Sequence, residues 1–212
     1  GRTGTCICER KSRSGNCRIH RDCEGVGGEN MGLAIGTVEL NSVASGVIAG
    51  DEMLKSADVQ LVMAQPVCPG KYVLLVAGDT SSVETAVAAG KAAGREKVVD
   101  SVIISSIAPE VIPAIMRSTA PEQKEAVGII ETYSLASAIL AADYAVKSAA
   151  IELIEVRLGR GLGGKAFVMV TGSISDVTTA ADTAKVQLGK EGMILDIEVI
   201  PSLHKDMYQA LL

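Results

Sequence analysis

The sequence predicts an α+β protein of two tandem ferredoxin-like domains, each a split βαβ sheet with two helices packed on one face. Three observations lead there. The chain repeats itself, each copy reads β-α-β-β-α-β, and a polar linker lies between the copies. The duplication decides the fold assignment, since each copy is one complete unit. "AIGTVELNSVASGVIAGDEMLKSADVQLV" (34–62) aligns without gaps to "AVGIIETYSLASAILAADYAVKSAAIELI" (126–154), an offset of 92. Identical pairs include Gly36/Gly128, Glu39/Glu131, Ser45/Ser137, Asp51/Asp143, Lys55/Lys147, Ser56/Ser148 and Ala57/Ala149. After a loop, "GKYVLLVAGDTSSVETA" (70–86) matches "GKAFVMVTGSISDVTTA" (164–180) at an offset of 94. Between these blocks "PVCP" in the first copy faces "LGRGLG" in the second. The halves share a scaffold and differ in one loop.

Each element follows in order. "AIGTVEL" is a short β-branched strand. In "SVASGVIAGDEMLKSA", Ala44, Val47, Ile48 and Leu54 recur at helical spacing. A strand at 59–64, the variable loop and the strand "KYVLLVAG" come next. Ser81 and Glu84 make an S-x-x-E capping box that predicts a helix over "VETAVAAGKAAG", and "VVDSVIISSI" closes the unit as a strand. The linker "MRSTAPEQKE" (116–125) is polar, with one proline, and marks the boundary. The expected division is residues 1–30, a first domain at 31–118 and a second at 119–212.

Composition narrows the function. Of 212 residues 48% are apolar, yet there is no Trp, one Phe and four Tyr. Ala, Val, Ile and Leu make up most of the rest, which suits helices packed closely on sheets and leaves little for an aromatic-lined pocket. No apolar run approaches the roughly 18 residues that span a bilayer, so no transmembrane helix is read. A net charge of −5 argues against nucleic acid as the main partner.

Residues 1–30 differ from the rest. "GRTGTCICERKSRSGNCRIHRDCEGVGGEN" holds four of the five cysteines and six of the twenty Lys and Arg, with no apolar periodicity. It also lacks the apolar core of a signal peptide. Residues 31–212 carry 14 Lys and Arg against 21 Asp and Glu, a net −7. "GGEN" before Met31 back-translates to a purine-rich stretch containing GGAGG, like a bacterial ribosome-binding site. The expectation is that Met31 is the start and residues 1–30 are a disordered, translated leader. The alternative is a zinc or disulfide site from Cys6, Cys8, Cys17 and Cys23, whose C-x-C-x8-C-x5-C spacing is not a strong zinc pattern.

Enzymatic motifs are scarce. The only histidine after residue 30 is His204, with no Ser/His/Asp or Cys/His arrangement around it. "GRGLGGK" (159–165) resembles a phosphate loop, but Ala166 stands at the hydroxyl position and a strand follows instead of a helix. A glycine-rich turn packed on its neighbours is the reading preferred. Lys55 and Lys147 lie near the ends of matching helices, where a lysine complements the helix dipole and covers apolar surface. Their repetition points to a shared edge contact. Cys68 in "PVCPGK" is either a thiol that packs in a turn or one held out on a stiff loop. Pro66 and Pro69 fix φ, and Gly70 permits close approach.

The blocks "VELNSVASGVIAGDEMLKSADVQLV" and "VIPSLH", with the whole-unit duplication, resemble the bacterial microcompartment shell proteins over nearly all of residues 32–212. Two tandem domains are similar to the trimeric class, whose trimers are pseudohexamers. "VCPGK" and "GLGGK" look most like the tandem shell proteins of propanediol-utilisation compartments. That resemblance implies a homotrimer in a microcompartment shell within the cytoplasm, not an enzyme, and no nucleic-acid or membrane partner. It implies that Cys68, Pro69 and Gly70 line a central pore on a threefold axis, alternating with Arg160, Gly161, Leu162 and Gly163. Three Cys68 thiolates would then hold one [4Fe–4S] cluster per trimer, to pass electrons across the shell or to deliver a cluster to encapsulated redox enzymes. Such a cluster normally takes four thiolates, so threefold symmetry leaves one iron open.

Three thiolates also suit zinc or a single iron, and a metal-free pore for metabolite passage is the alternative. By the same resemblance Lys55 and Lys147 make edge contacts with neighbouring shell hexamers and pseudohexamers. "IPSLHKD" lacks the second proline common in the family, which bears on an edge contact and not on the pore. A soluble ligand-binding α+β protein is the rival outside the family.

Overall fold

The computed structural model describes residues 33–121, 125–159, 162–189 and 192–211. The leader expectation, and with it Cys6, Cys8, Cys17 and Cys23, lies outside them. Residues 31–212 form one compact unit. The first copy is β1 (Ala34–Leu40), α1 (Val43–Ser56), β2 (Gln60–Val67), β3 (Lys71–Gly78), α2 (Thr80–Gly94), β4 (Val98–Ile104) and a short α3 (Val111–Ile115). The second is β5 (Ala126–Thr132), α4 (Leu135–Ser148), β6 (Glu152–Leu158), β7 (Ala166–Gly172), α5 (Ile174–Gly189), β8 (Ile194–Ile200) and α6 (Lys205–Leu211).

Each copy makes one antiparallel four-stranded sheet, ordered β2-β3-β1-β4 and β6-β7-β5-β8. The first strand of each copy runs through the middle, and β1 is buried along its whole length. Even-numbered residues Ala34, Val38 and Leu40 pack under α1 and α2, against Met53, Val83 and Val87. The helix approaches so closely that a Cβ at Gly36 would lie 2.5 Å from Val87 and 2.7 Å from Val83. Gly128 repeats this, with Val170 and Val177 each 2.8 Å from an added Cβ. The identical glycine pair is therefore explained by helix–sheet packing.

Ile35, Val73, Leu75 and Ala77, on the other face of the first sheet, join Val111 and Ile115 of α3 in one buried cluster. That cluster continues into the second copy through Leu135, Ile139 and Val156. Across the second sheet, Tyr208 of α6 packs with Val127, Ile154 and Met169. The two short helices are additions to the expected plan. Five or seven residues, with Pro113 inside α3, carry too little periodicity to be read as helix.

Some local expectations need correction. The helix α2 starts at Thr80, and its cap is Asp79, which accepts the Ser82 N–H at 2.9 Å. Ser81 lies inside the first turn and donates its hydroxyl to Asp79, so the Ser81/Glu84 box is not the cap. These bonds hold the Asp79 carboxyl well below its ordinary value. The strand β2 runs on to Val67, past the expected end at 64, because Pro66 and Val67 still pair with Tyr72 and Lys71. The strand β4 ends at Ile104, short of the expected 107, where the chain turns at Ser106 with φ 55°.

The residues whose spacing marked α1 as a helix are not its buried face. Val47, Ile48 and Leu54 are 56%, 59% and 41% exposed, while Gly46, Ala49, Gly50 and Met53 face the sheet.

Candidate functional site at the Cys68 turn

The β2–β3 connection is a turn of three residues, Cys68, Pro69 and Gly70, all exposed. Cys68 is a free thiol at its tip, and the peptide to Pro69 is cis. Gly70 has φ 73° and nothing within 4 Å of an added Cβ, so glycine serves the backbone there and not the packing. Lys71, the first residue of β3, pairs at 3.1 Å with the buried Glu39 of β1. One end of the turn is thus anchored to the central strand.

The other half of the chain supports the turn. Cys68 N–H donates to the Gly159 carbonyl at 3.3 Å. Gly159 has φ 69°, and an added Cβ there would come within 3.2 Å of Val67. Gly164, with φ 90°, lies where an added Cβ would sit 3.6 Å from both the Cys68 carbonyl and the Pro69 ring. Leu162 and Gly163 turn between them, with the Lys165 N–H on the Leu162 carbonyl at 3.2 Å. Arg160 and Gly161 lie outside the described residues. The loop that distinguishes the two copies in sequence therefore packs side by side with its counterpart. Among the described residues, no group of three or more His, Cys, Asp and Glu is placed to hold a metal within one chain.

The repeated lysines have different surroundings. Lys147 donates to Asp143 at 2.7 Å and to the Ser106 carbonyl at 2.5 Å. Asp143 is 4% exposed, and its second oxygen accepts the Ala108 N–H at 2.8 Å. Together they clamp residues 106–108 of the first copy onto α4 of the second. Lys55 binds Asp51 at the same four-residue spacing, but both side chains are exposed, at 65% and 56%. That carboxylate raises the Lys55 pKa above its ordinary value. The clamp was missed in the sequence, although Asp51/Asp143 stood among the identical pairs, four residues before each lysine. The glycine carbonyl that receives Cys68 left no sequence signal beyond the richness of its loop in glycine.

Comparison with known proteins agrees with this architecture. The BMC domain family matches twice, at residues 34–107 and 126–203. The bacterial microcompartment shell protein PduT of Citrobacter freundii is 41% identical over 179 residues, covering 84% of this chain and 97% of its own. The carboxysome assembly protein CcmO of Synechococcus elongatus is 29% identical over 191 residues, covering 84% of this chain and 68% of its own. A crystal structure of a microcompartment protein from Desulfitobacterium hafniense superposes with a TM-score of 0.82 at 43% identity, covering 84% of this chain and 99% of that one. The chain belongs to the BMC domain family, with two copies in tandem, and is a structural protein of a bacterial microcompartment shell, not an enzyme.

Proposed function

We propose that three copies close into a pseudohexameric ring whose central pore is lined by the Cys68 turns, and that the three thiolates hold one [4Fe–4S] cluster. The observation that carries this reading is the exposed thiol at the tip of a three-residue turn, braced on both sides. Thiolate is the usual ligand of such clusters. With one Cys68 per chain, three chains must converge to supply three, and the fourth iron keeps an open position. When bound, the cluster supplies one-electron chemistry, passed across the shell or to encapsulated redox enzymes. The chain's own part is to hold each sulfur on a stiff, solvent-facing turn.

The seam inside the chain supports the ring. Residues 106–108 sit in the clamp of α4, and the strand pairings make 202–204 their counterparts in the second copy. Ser202 and His204 are exposed, as are Asp51 and Lys55. A second copy docking its α1 onto residues 202–204 would repeat the seam, with Lys55 on the Ser202 carbonyl and Asp51 on the His204 N–H. Such a head-to-tail contact closes into a ring when its rotation allows. The same proposal divides the chain at 118/119 and keeps Lys55 and Lys147 as contacts to neighbouring shell rings.

Anaerobic reconstitution of the full chain with iron and sulfide tests the cluster. About four irons and four sulfides per three chains, with an EPR signal after reduction, are expected. They are lost in Cys68→Ser without loss of the oligomer, and kept when Cys6, Cys8, Cys17 and Cys23 are all changed to Ser. A Cys68-independent cluster, or none, would leave a metal-free pore for metabolite passage.

A further inference from the structure

A second polar centre lies in the seam between the two BMC domains. β2, the end of α3 and β6 border an open cleft of about 280 Å³ lined by Met63, Gln65, Met116, Arg117, Glu155 and Arg157, among others. Glu155 is 3% exposed, and Arg157 grips both its oxygens, through Nε and Nη2, at 2.8 Å each. Arg117 reaches the same carboxylate through Nε at 3.1 Å. The Arg157 guanidinium also lies 5.1 Å from the Phe167 ring centroid, which fixes its plane. One carboxylate thus faces two guanidiniums, leaving one positive charge uncompensated within the trio. At the matching positions of the first domain, Met63 and Gln65 carry no charge. Arg117 belongs to the linker, which exists only in this seam. The centre therefore occurs once per chain and is not a property of the repeated scaffold.

We propose that this cleft binds a short-chain aliphatic monocarboxylate. Glu155 occupies the Nε of Arg117 and so orients that guanidinium, whose Nη edge presents paired donors suited to a carboxylate. A single excess positive charge matches a single negative one. Met63, Met116, Ile115 and Val156 supply an apolar wall for an aliphatic tail beside the polar half of the lining. A fully hydrated dianion such as sulfate gains nothing from those walls and loses its water to them. This site is independent of Cys68 and of any metal there.

Methionine-methyl NMR of the full chain, titrated with sodium butyrate against sodium chloride at matched ionic strength, tests the proposal. Met63 and Met116 are expected to shift saturably with a millimolar midpoint, while Met53, fully buried in the first domain, stays fixed. Arg117→Gln is expected to weaken the midpoint about tenfold or more, and Arg117→Lys, which keeps charge without the fork, to weaken it less. Glu155 retains both Arg157 contacts in these variants; should Arg117→Gln fail to fold, the weakening in Arg117→Lys decides. Absent or unsaturable shifts, an equal response to sodium sulfate, or an unchanged midpoint in the arginine variants would overturn it.

Discussion

At the residue scale, the two glycines nearest Cys68 serve it differently. Gly70 needs its positive φ and has open space around it, so Gly70→Ala meets only the backbone penalty of the left-handed region, roughly 1–2 kcal/mol. Gly159 needs φ 69° and also presses on Val67, with its carbonyl held by the Cys68 N–H. Gly159→Ala is expected to cost about 1–3 kcal/mol for the backbone, with the crowding of Val67 added to that. It should therefore exceed the cost of Gly70→Ala in urea unfolding. Equal costs would mean that the two loops are not packed together as described. A replacement at Gly159, in the second domain, thus disturbs the thiol of the first. That link was not legible from the chain, because a hydrogen bond between residues 68 and 159 leaves no periodicity and no spacing to read.

At the element scale, α1 and α4 are the same helix in two environments. Ile139 of α4 is fully buried against the first domain, while its counterpart Val47 of α1 is 56% exposed. Ile139→Ala is expected to cost about 2–5 kcal/mol, the range for emptying a core site. Val47→Asp is expected to leave the melting of an isolated chain nearly unchanged, within about 0.5 kcal/mol. In the proposed ring, however, it places a carboxylate in a seam, so sedimentation should report single chains in place of the trimers proposed for the parent. Trimers that survive Val47→Asp would remove α1 from the ring contact.

The repeat, the succession of strands along the chain and the two long helices of each copy were legible because helix and strand periods are local properties of sequence. The outward direction of Val47 and Ile48 was not. An apolar stripe on a helix means burial, and in α1 the sheet takes the small residues Gly46, Ala49 and Gly50 instead. The larger apolar residues are left for whatever packs on the outside. The Asp79 cap was hidden for a related reason: Asp and Ser compete for the same role within three residues, and only the fold shows which accepts the Ser82 N–H.

At the scale of the whole molecule, the proposed assembly has two levels, and the paired Asp and Lys residues offer a way to separate them. Asp143 is buried and receives the Ala108 N–H, whereas Lys147 keeps 46% of its side chain exposed after bonding Ser106. Losing Asp143 leaves a buried N–H without its acceptor, a cost of about 1–3 kcal/mol. Losing Lys147 removes one bond at the surface, of the order of 1 kcal/mol. Carried to the proposed seam between chains, the same division makes Asp51 the buried contact that closes a ring, and Lys55 a rim contact whose side chain stays partly exposed to a neighbouring ring. Asp51→Ala should therefore reduce trimers in sedimentation while the single chain stays folded. Lys55→Ala with Lys147→Ala should leave trimers in place and reduce the planar sheets seen by electron microscopy. Sheets that persist without both lysines would take the edge role away from them, and trimers that persist without Asp51 would mean that the intrachain clamp is not repeated between copies. The two variants answer separately because the aspartate of the pair is buried in its seam, while the lysine makes one bond at the seam's rim and keeps much of its side chain exposed.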